Sequence, residues 1–242
     1  MPETTILLTG DSRGVGNVIA KTLLNNSYHV IGISRKKNEE IDKLCLQHGK
    51  NYIHFDFDME NTEGIKDLYL QHIKPLGPIY AYINNAAIAY DDIITNLALE
   101  PLERMYKINV FSPMMMTKYI LRDMLLHNTK GAIIHLSSIS VHTGYKGLAM
   151  YASTKGALEA FSKNTAREWG RMGIRSNIVC PGFMATDMSA TLSAEQQNKI
   201  FSRNSLSEPI DIESVASTVE FLLSDKSRSI TGQIIHTDNG TI

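Results

Sequence analysis

Cysteine is almost absent from this sequence, with two in 242 residues, Cys45 and Cys180. They lie far apart and match no Cys-x-x-Cys or metal-ligand spacing. The expectation is therefore a reduced, cytoplasmic chain with neither disulfide nor metal. An excess of charge of one sign is missing as well: 24 Lys and Arg stand against 25 Asp and Glu, for a net charge of −1. That balance lacks the bulk cationic field of a nucleic-acid binder. No stretch approaches the ~20 apolar residues of a membrane span, and the most lipid-like run, Met114-Met115-Met116, is closed in by Pro113 and Lys118. Met1-Pro2-Glu3-Thr4 runs into an apolar stretch, Ile6-Leu7-Leu8, far shorter than a signal h-region, so no targeting segment is expected. Linkers rich in Pro, Ser or Gly, repeats and low-complexity tracts are also missing, so a single domain over residues 1–242 is expected.

What is present is the balance of a folded protein, 43% hydrophobic and 20% charged. Short β-rich runs at 5–9, 29–34, 51–55, 79–84, 132–137, 175–180 and 233–236 alternate with amphipathic stretches at 15–25, 39–48, 61–72, 99–126, 151–169 and 211–223. Such alternation predicts right-handed βαβ units. The fold class is α/β, a doubly wound, mostly parallel seven-stranded sheet (a Rossmann fold) with helices on both faces. Runs such as Ile6-Leu7-Leu8 and Ile133-Ile134 suit strands covered on both sides. One region breaks the rhythm: from Pro181 to Pro209 a Pro-Gly turn leads into a short polar helix pattern and Ser-rich chain. Because it follows a strand, residues 183–208 are expected to form a substrate lid at the carboxyl edge of the sheet.

Between the first strand and first helix lies Thr9-Gly10-Asp11-Ser12-Arg13-Gly14-Val15-Gly16. Glycines there let the backbone and the helix start approach a pyrophosphate, whose charge the unpaired N–H groups accept. The same glycines also suit a plain turn. The second strand ends in Ser34-Arg35-Lys36-Lys37, with no carboxylate before Glu39. A ribose 2′-hydroxyl is usually met by an acid at this point. Arg13 and Arg35 instead suit a phosphate dianion, which favours NADP(H) over NAD(H). A solvated helix start would also explain these cations. Asp56, ending the third strand, fits either an adenine amino group or a cap.

Tyr151 and Lys155 stand four residues apart at a helix start, on one face. A nearby ammonium favours phenolate, which moves tyrosine toward acid–base work at neutral pH. The string also suits an ordinary helix face. Ser138, at the end of the fifth strand, is placed to donate to a carbonyl oxygen or simply to satisfy backbone. Asn109 falls inside a long helix pattern, where a bend freeing a carbonyl for water, or a solvent-facing side chain, would account for it.

Taken in order, Thr9–Gly16, Asn84-Asn85-Ala86-Ala87, Asn109, Ser138, Tyr151 with Lys155, and Pro181-Gly182 resemble the short-chain dehydrogenase/reductase family over nearly the whole chain. The resemblance implies that Tyr151 is the general acid, Ser138 orients the carbonyl, Lys155 binds the nicotinamide ribose and lowers the Tyr151 pKa, and Asn109 holds a water of a proton relay. It implies cofactor contacts from Gly10, Ser12, Arg13, Gly14, Val15 and Gly16, from Arg35, Asp56 and Phe57, from Asn85 and Ala86, and from Pro181, Gly182, Met184 and Thr186, besides Tyr151 and Lys155. It also implies a homotetramer built on the 99–126 and 151–169 helices.

The C-terminal third, through Pro181–Met188, Leu192–Gln197, Phe221–Asp225 and Ile230–Gln233, is similar to the β-ketoacyl-acyl carrier protein reductases. The implied activity is NADPH-dependent reduction of a 3-oxoacyl thioester carried on acyl carrier protein, with a sugar, polyol or other secondary-alcohol dehydrogenase as the alternative. A catalytically silent cofactor-binding subunit is the third reading. The sequence departs from the pattern at Asp11, where a small apolar residue is usual, at Ala87, where a glycine is usual, and at Asp238-Asn239-Gly240. Lys130 and Arg171 lie near the positions where that subgroup docks its carrier.

Overall fold

The computed structural model describes residues 4–184 and 194–242. Seven strands, β1 (Thr5–Thr9), β2 (His29–Ser34), β3 (Tyr52–Asp56), β4 (Ile79–Asn84), β5 (Ala132–Leu136), β6 (Arg175–Pro181) and β7 (Ile234–Thr237), form one sheet in the order β3-β2-β1-β4-β5-β6-β7. Every neighbouring pair is parallel. The strand order reverses between β1 and β4, so the crevice outside their carboxyl ends is where an open sheet of this kind takes a ligand.

The alternation of side chains explains why the strands read as continuous apolar runs. Ile6 and Leu8 of β1 join Val30, Ile83 and Ile134 in one core, while Leu7, between them, joins Ile31, Ile33, Tyr82 and Ile133 in the other. The first core is closed by α1 (Gly14–Asn25), α2 (Glu39–His48) and, through Val215, Val219 and Leu222, a helix at Ile212–Leu223. Each fully buried Leu or Ile contributes about 1.5–3 kcal/mol, so the two-sided core outweighs any single polar contact. α2 starts where the Asn38 side chain accepts from the Ile41 N–H, and three acids in its first turn suit its dipole.

The second face carries α3 (Ile65–Asp67), α4 (Leu99–Tyr106), α5 (Ser112–Leu126), the short α6 (Ser140–Thr143) and α7 (Ala149–Trp169). The chain then adds α8 (Ala194–Phe201) and α9 (Ile212–Leu223). Two helix patterns in the sequence are not continuous. The 61–72 stretch begins helical structure only at Ile65 and widens into a π turn at Leu68–Ile73. The 99–126 stretch is α4 and α5 joined by a π turn, Lys107–Phe111. Pro113 lacks the N–H that a regular ladder would take, and single π turns in longer helices often mark functional positions. Among the described residues no helix is long and apolar enough to cross a membrane.

Candidate active site

A cleft of about 800 Å³ runs along the carboxyl ends of β1, β2, β4 and β5. Its first end is made by the phosphate loop. Gly10 has φ +78°, and a Cβ there would sit 2.7 Å from Asn85 Nδ2; one on Gly16 would sit 2.0 Å from the Gly10 carbonyl oxygen. Only glycine allows that approach. No side chain caps the start of α1, so Gly14, Val15 and Gly16 present the helix N-terminus to the cleft. Asn85 braces the loop from β4: its Nδ2 donates to the Thr9 and Gly10 carbonyls at 3.1 and 3.0 Å, and its own N–H donates to Thr9 Oγ1. Asn38 Nδ2 donates to the Ser12 carbonyl, tying α2 to the loop.

Arg13, Ser34, Arg35 and Lys36 line this end, and neither Arg35 nor Lys36 has an acidic partner among the described residues. Phe57, Asp58 and Met59 form the facing wall. Asp56 does not line the cleft. Its carboxylate lies 3.2 Å from His54 Nε2, so the acid facing the cavity is Asp58, two residues on.

Asp11 explains that turn away. Its side chain is fully buried beneath the loop, accepts from Tyr52 Oη at 2.5 Å and lies 2.9 Å from His54 Nδ1. Gly32 makes the room, because a Cβ there would fall 1.7 Å from the Asp11 carboxylate. The departure at Asp11 is therefore answered by three partners on β2 and β3: Gly32, Tyr52 and His54. Burial first, and then the Asp11 carboxylate, push the Tyr52 phenol above its usual range, which keeps it a donor.

The other end holds the chemistry-bearing groups. Tyr151 and Lys155 both line the cleft, with Lys155 Nζ 5.6 Å from the Tyr151 ring centre and donating to the Leu136 carbonyl at 2.8 Å. The Ser138 side chain lies near enough to the Tyr151 phenol to oppose the rise in its pKa, and its Oγ accepts from the Ser140 N–H and hydroxyl. Ser137, Pro181 and Met184 complete the cleft wall, and the partly exposed Ser138 and the buried Gly182 are the next residues after Ser137 and Pro181. Ser137 donates to Glu159 of α7. Sequence reasoning did not single out Ser137 or Glu159. Thr186 lies outside the described residues.

The charge states here correct one expectation. Tyr151 is not lowered toward neutrality: burial and then the Asp91 carboxylate raise it above its usual range, with only the Ser138 side chain opposing. Lys155 is itself pushed down to about 8 by burial, which weakens the cation meant to draw the proton off. In this state Tyr151 holds its proton. Behind both, His135 is fully buried and pushed down to about 3 by burial and then by Lys155, so it is neutral.

Asn109 is 1% exposed, which excludes a solvent-facing role. Its Oδ1 accepts from the Ile88 N–H, and its Nδ2 donates to the Ile88 carbonyl and to Thr154 Oγ1. The side chain is thus committed to pinning the π turn against the loop after β4 and against α7.

With this geometry established, likeness to known proteins is informative. The family model described as enoyl-(acyl carrier protein) reductase matches residues 10–241. The chain belongs to the short-chain dehydrogenase/reductase family. The 3-oxoacyl-(acyl-carrier-protein) reductase of Haemophilus influenzae is 33% identical over 236 residues, 97% of this chain and 96% of that one. Among solved members, ElxO with NADP bound superimposes with a TM-score of 0.90 at 27% identity, covering 99% and 98% of the two chains. A 4-hydroxyisoleucine dehydrogenase complexed with NADH gives 0.92 at 25%, over the same shares. Membership makes this short-chain dehydrogenase/reductase an oxidoreductase, and its doubly wound parallel sheet is the fold of those neighbours.

Proposed function

We propose that this chain reduces a 3-oxoacyl thioester to the 3-hydroxyacyl thioester with NADPH. The observation that carries the reading is one cleft joining a glycine-built phosphate cradle, flanked by Arg13, Arg35 and Lys36, to the Tyr151–Ser138 pair. The cradle fits a dinucleotide because its glycines leave the space a Cβ would fill and its helix start is uncapped. The exposed cations fit the extra phosphate of NADP(H). When bound, the nicotinamide supplies a hydride to the carbonyl carbon.

The remaining work falls to the chain's own groups. The Ser138 and Tyr151 hydroxyls converge, so one carbonyl oxygen accepts from both; this favours reduction of C=O over C=C. As the carbon gains the hydride, Tyr151 Oη gives its proton to the oxygen, and the high phenol pKa keeps that proton in place until negative charge develops. Lys155, anchored on the Leu136 carbonyl, holds the ribose. Asn109 acts by position: its side chain is occupied, so a relay past it runs through a main-chain carbonyl of the π turn. The substrate lid of a single domain is assigned to residues 183–208, of which 185–193 lie outside the described residues; Met184 lines the cleft and Phe183 packs on Phe201 of α8. A homotetramer built on the 99–126 and 151–169 helices is part of this reading, supported by the exposed apolar Leu99 and Phe111.

Carrier-bound substrate is favoured over a free sugar or polyol by a basic corner. Lys163, Arg167 and Arg171 line a hollow of about 540 Å³, and the Lys130 stem lies against Gly173, two residues beyond Arg171. The similarity to 3-oxoacyl-(acyl-carrier-protein) reductases points the same way. NADPH oxidation with acetoacetyl-acyl carrier protein, set beside free ketones and polyols, tests the reading. Fast turnover of the carrier thioester, weakened through KM in a Lys130→Glu/Arg171→Glu variant, supports it. Turnover of free carbonyls alone moves the chain to the secondary-alcohol class.

A further inference from the structure

β6 and β7 pair so that Cys180 stands opposite His236. Paired residues on parallel neighbours project to one face, which sets the thiol beside the imidazole. From elsewhere in the chain, α6 brings His142 to the same point, its ring centre 5.0 Å from that of His236. The donor atoms of His142, Cys180 and His236 all lie within 4.8 Å of one another. From α7, Glu159 Oε1 lies 3.1 Å from His142 Nε2, beside that imidazole and outside the three-donor cluster. Strand register alone explains Cys180 beside His236; it does not explain an imidazole and a carboxylate delivered by two separate helices. The sulfur is fully buried, whereas the two imidazoles are exposed and give an ion its way in.

We propose that His142, Cys180 and His236 bind a borderline divalent transition metal of the Zn²⁺ class, leaving the fourth position of a tetrahedron to water. Two imidazoles and a thiol are the wrong donors for Mg²⁺ or Ca²⁺, which take oxygen, and a common set for Zn²⁺ or Co²⁺. Tetrahedral donors around such an ion stand about 3.3–3.6 Å apart, so closure from 4.8 Å needs a contraction of up to about 1.2–1.5 Å. Exposed imidazoles supply that by side-chain rotation. A redox or nucleophilic role for Cys180 fits less well: burial, then Glu159 and Asp238, push the thiol up to about 12, the reverse of an activated cysteine. A bound cation displaces that proton directly. Glu159 also accepts the Ser137 hydroxyl, and Ser137 lines the catalytic cleft. A cation on His142 changes its contact with Glu159, so occupancy is felt through the Ser137 hydroxyl at the cleft wall.

The site does not depend on which carbonyl is reduced, and its test is spectroscopic. The whole purified chain, kept reduced and metal-free, is titrated with Co²⁺ and then displaced with Zn²⁺. The expected result is one equivalent bound, with tetrahedral d–d bands and a thiolate-to-cobalt charge-transfer band. Cys180→Ser should abolish the charge-transfer band, and His142→Ala and His236→Ala should each weaken Co²⁺ binding about tenfold or more. NADPH binding by each variant shows that it has folded, and the two exposed histidine variants keep the test alive should Cys180→Ser fail. Absence of the charge-transfer band in the wild type at excess Co²⁺, or unchanged affinity in both histidine variants, overturns the proposal.

Discussion

The two ends of the cleft handle charge in opposite ways. At the phosphate end charge is invited: cations stand exposed on Arg35 and Lys36, the helix start is uncapped, and the loop is held rigid by Asn85, Asn38 and the buried Asp11. At the catalytic end charge is discouraged: burial holds Tyr151 protonated, draws Lys155 down to about 8 and keeps His135 neutral. An anion that never changes its charge is met by fixed complementary groups. In the proposed reaction, a proton that moves only when the oxygen becomes negative is kept where ionising early is costly.

The sharpest way to separate the two ends is Tyr151→Phe. Turnover should fall by about 10³-fold or more while the NADPH dissociation constant stays within a factor of two or three. Stopped-flow reduction and fluorescence titration measure the two quantities on one preparation, and retained turnover would end the acid role. The next largest effect belongs to the phosphate end. Asp11→Ala strands the Tyr52 hydroxyl and His54 without their acceptor, and should cost about 2–3 kcal/mol in urea unfolding. Adding Tyr52→Phe should recover part of that loss, since removing both partners leaves less unsatisfied. A loss under about 0.5 kcal/mol for Asp11→Ala would show that the loop does not lean on this network.

How well each end could be read from the sequence follows from how far apart its partners lie. The glycines, Arg35 and the Tyr151/Lys155 pair sit in short contiguous strings, and the alternating apolar runs placed all seven strands to within about one residue. The Asp11 network joins residues 41 and 43 positions apart, and only the β2–β3 register brings them under the loop. Nothing local to Asp11 announces Tyr52, although Gly32 inside an apolar strand hints at something close by. The π turn at Asn109 was equally hidden, because a helical period cannot show one extra residue per turn while the apolar face continues. Burial hid the direction of the Tyr151 shift. Sequence spacing records that a cation is near, not how much water both groups have lost.

Arg35→Ala tests the phosphate end more gently. It should weaken NADPH about tenfold or more and leave NADH nearly unchanged, read as the ratio of kcat/KM for the two cofactors. Equal loss for both would mean that Arg35 serves the loop and not the extra phosphate.

The smallest effect returns to Lys155. Its ammonium is complete below about pH 8 and is lost as pH rises through that value, whereas in the unfolded chain it persists to about 10.4. The unfolded chain therefore binds the extra proton between these values, and this group's contribution makes the fold gain stability with rising pH in that window. Activity should move the other way. kcat/KM for NADPH reports the free enzyme, and it should fall about tenfold per pH unit above pH 8 if the ammonium holds the ribose. The Tyr151 limb lies higher, because its phenol is raised, so the two do not overlap. Lys155→Arg keeps the cation throughout and should flatten the lower limb. A limb that stays at pH 8 in that variant would assign the titration to another group.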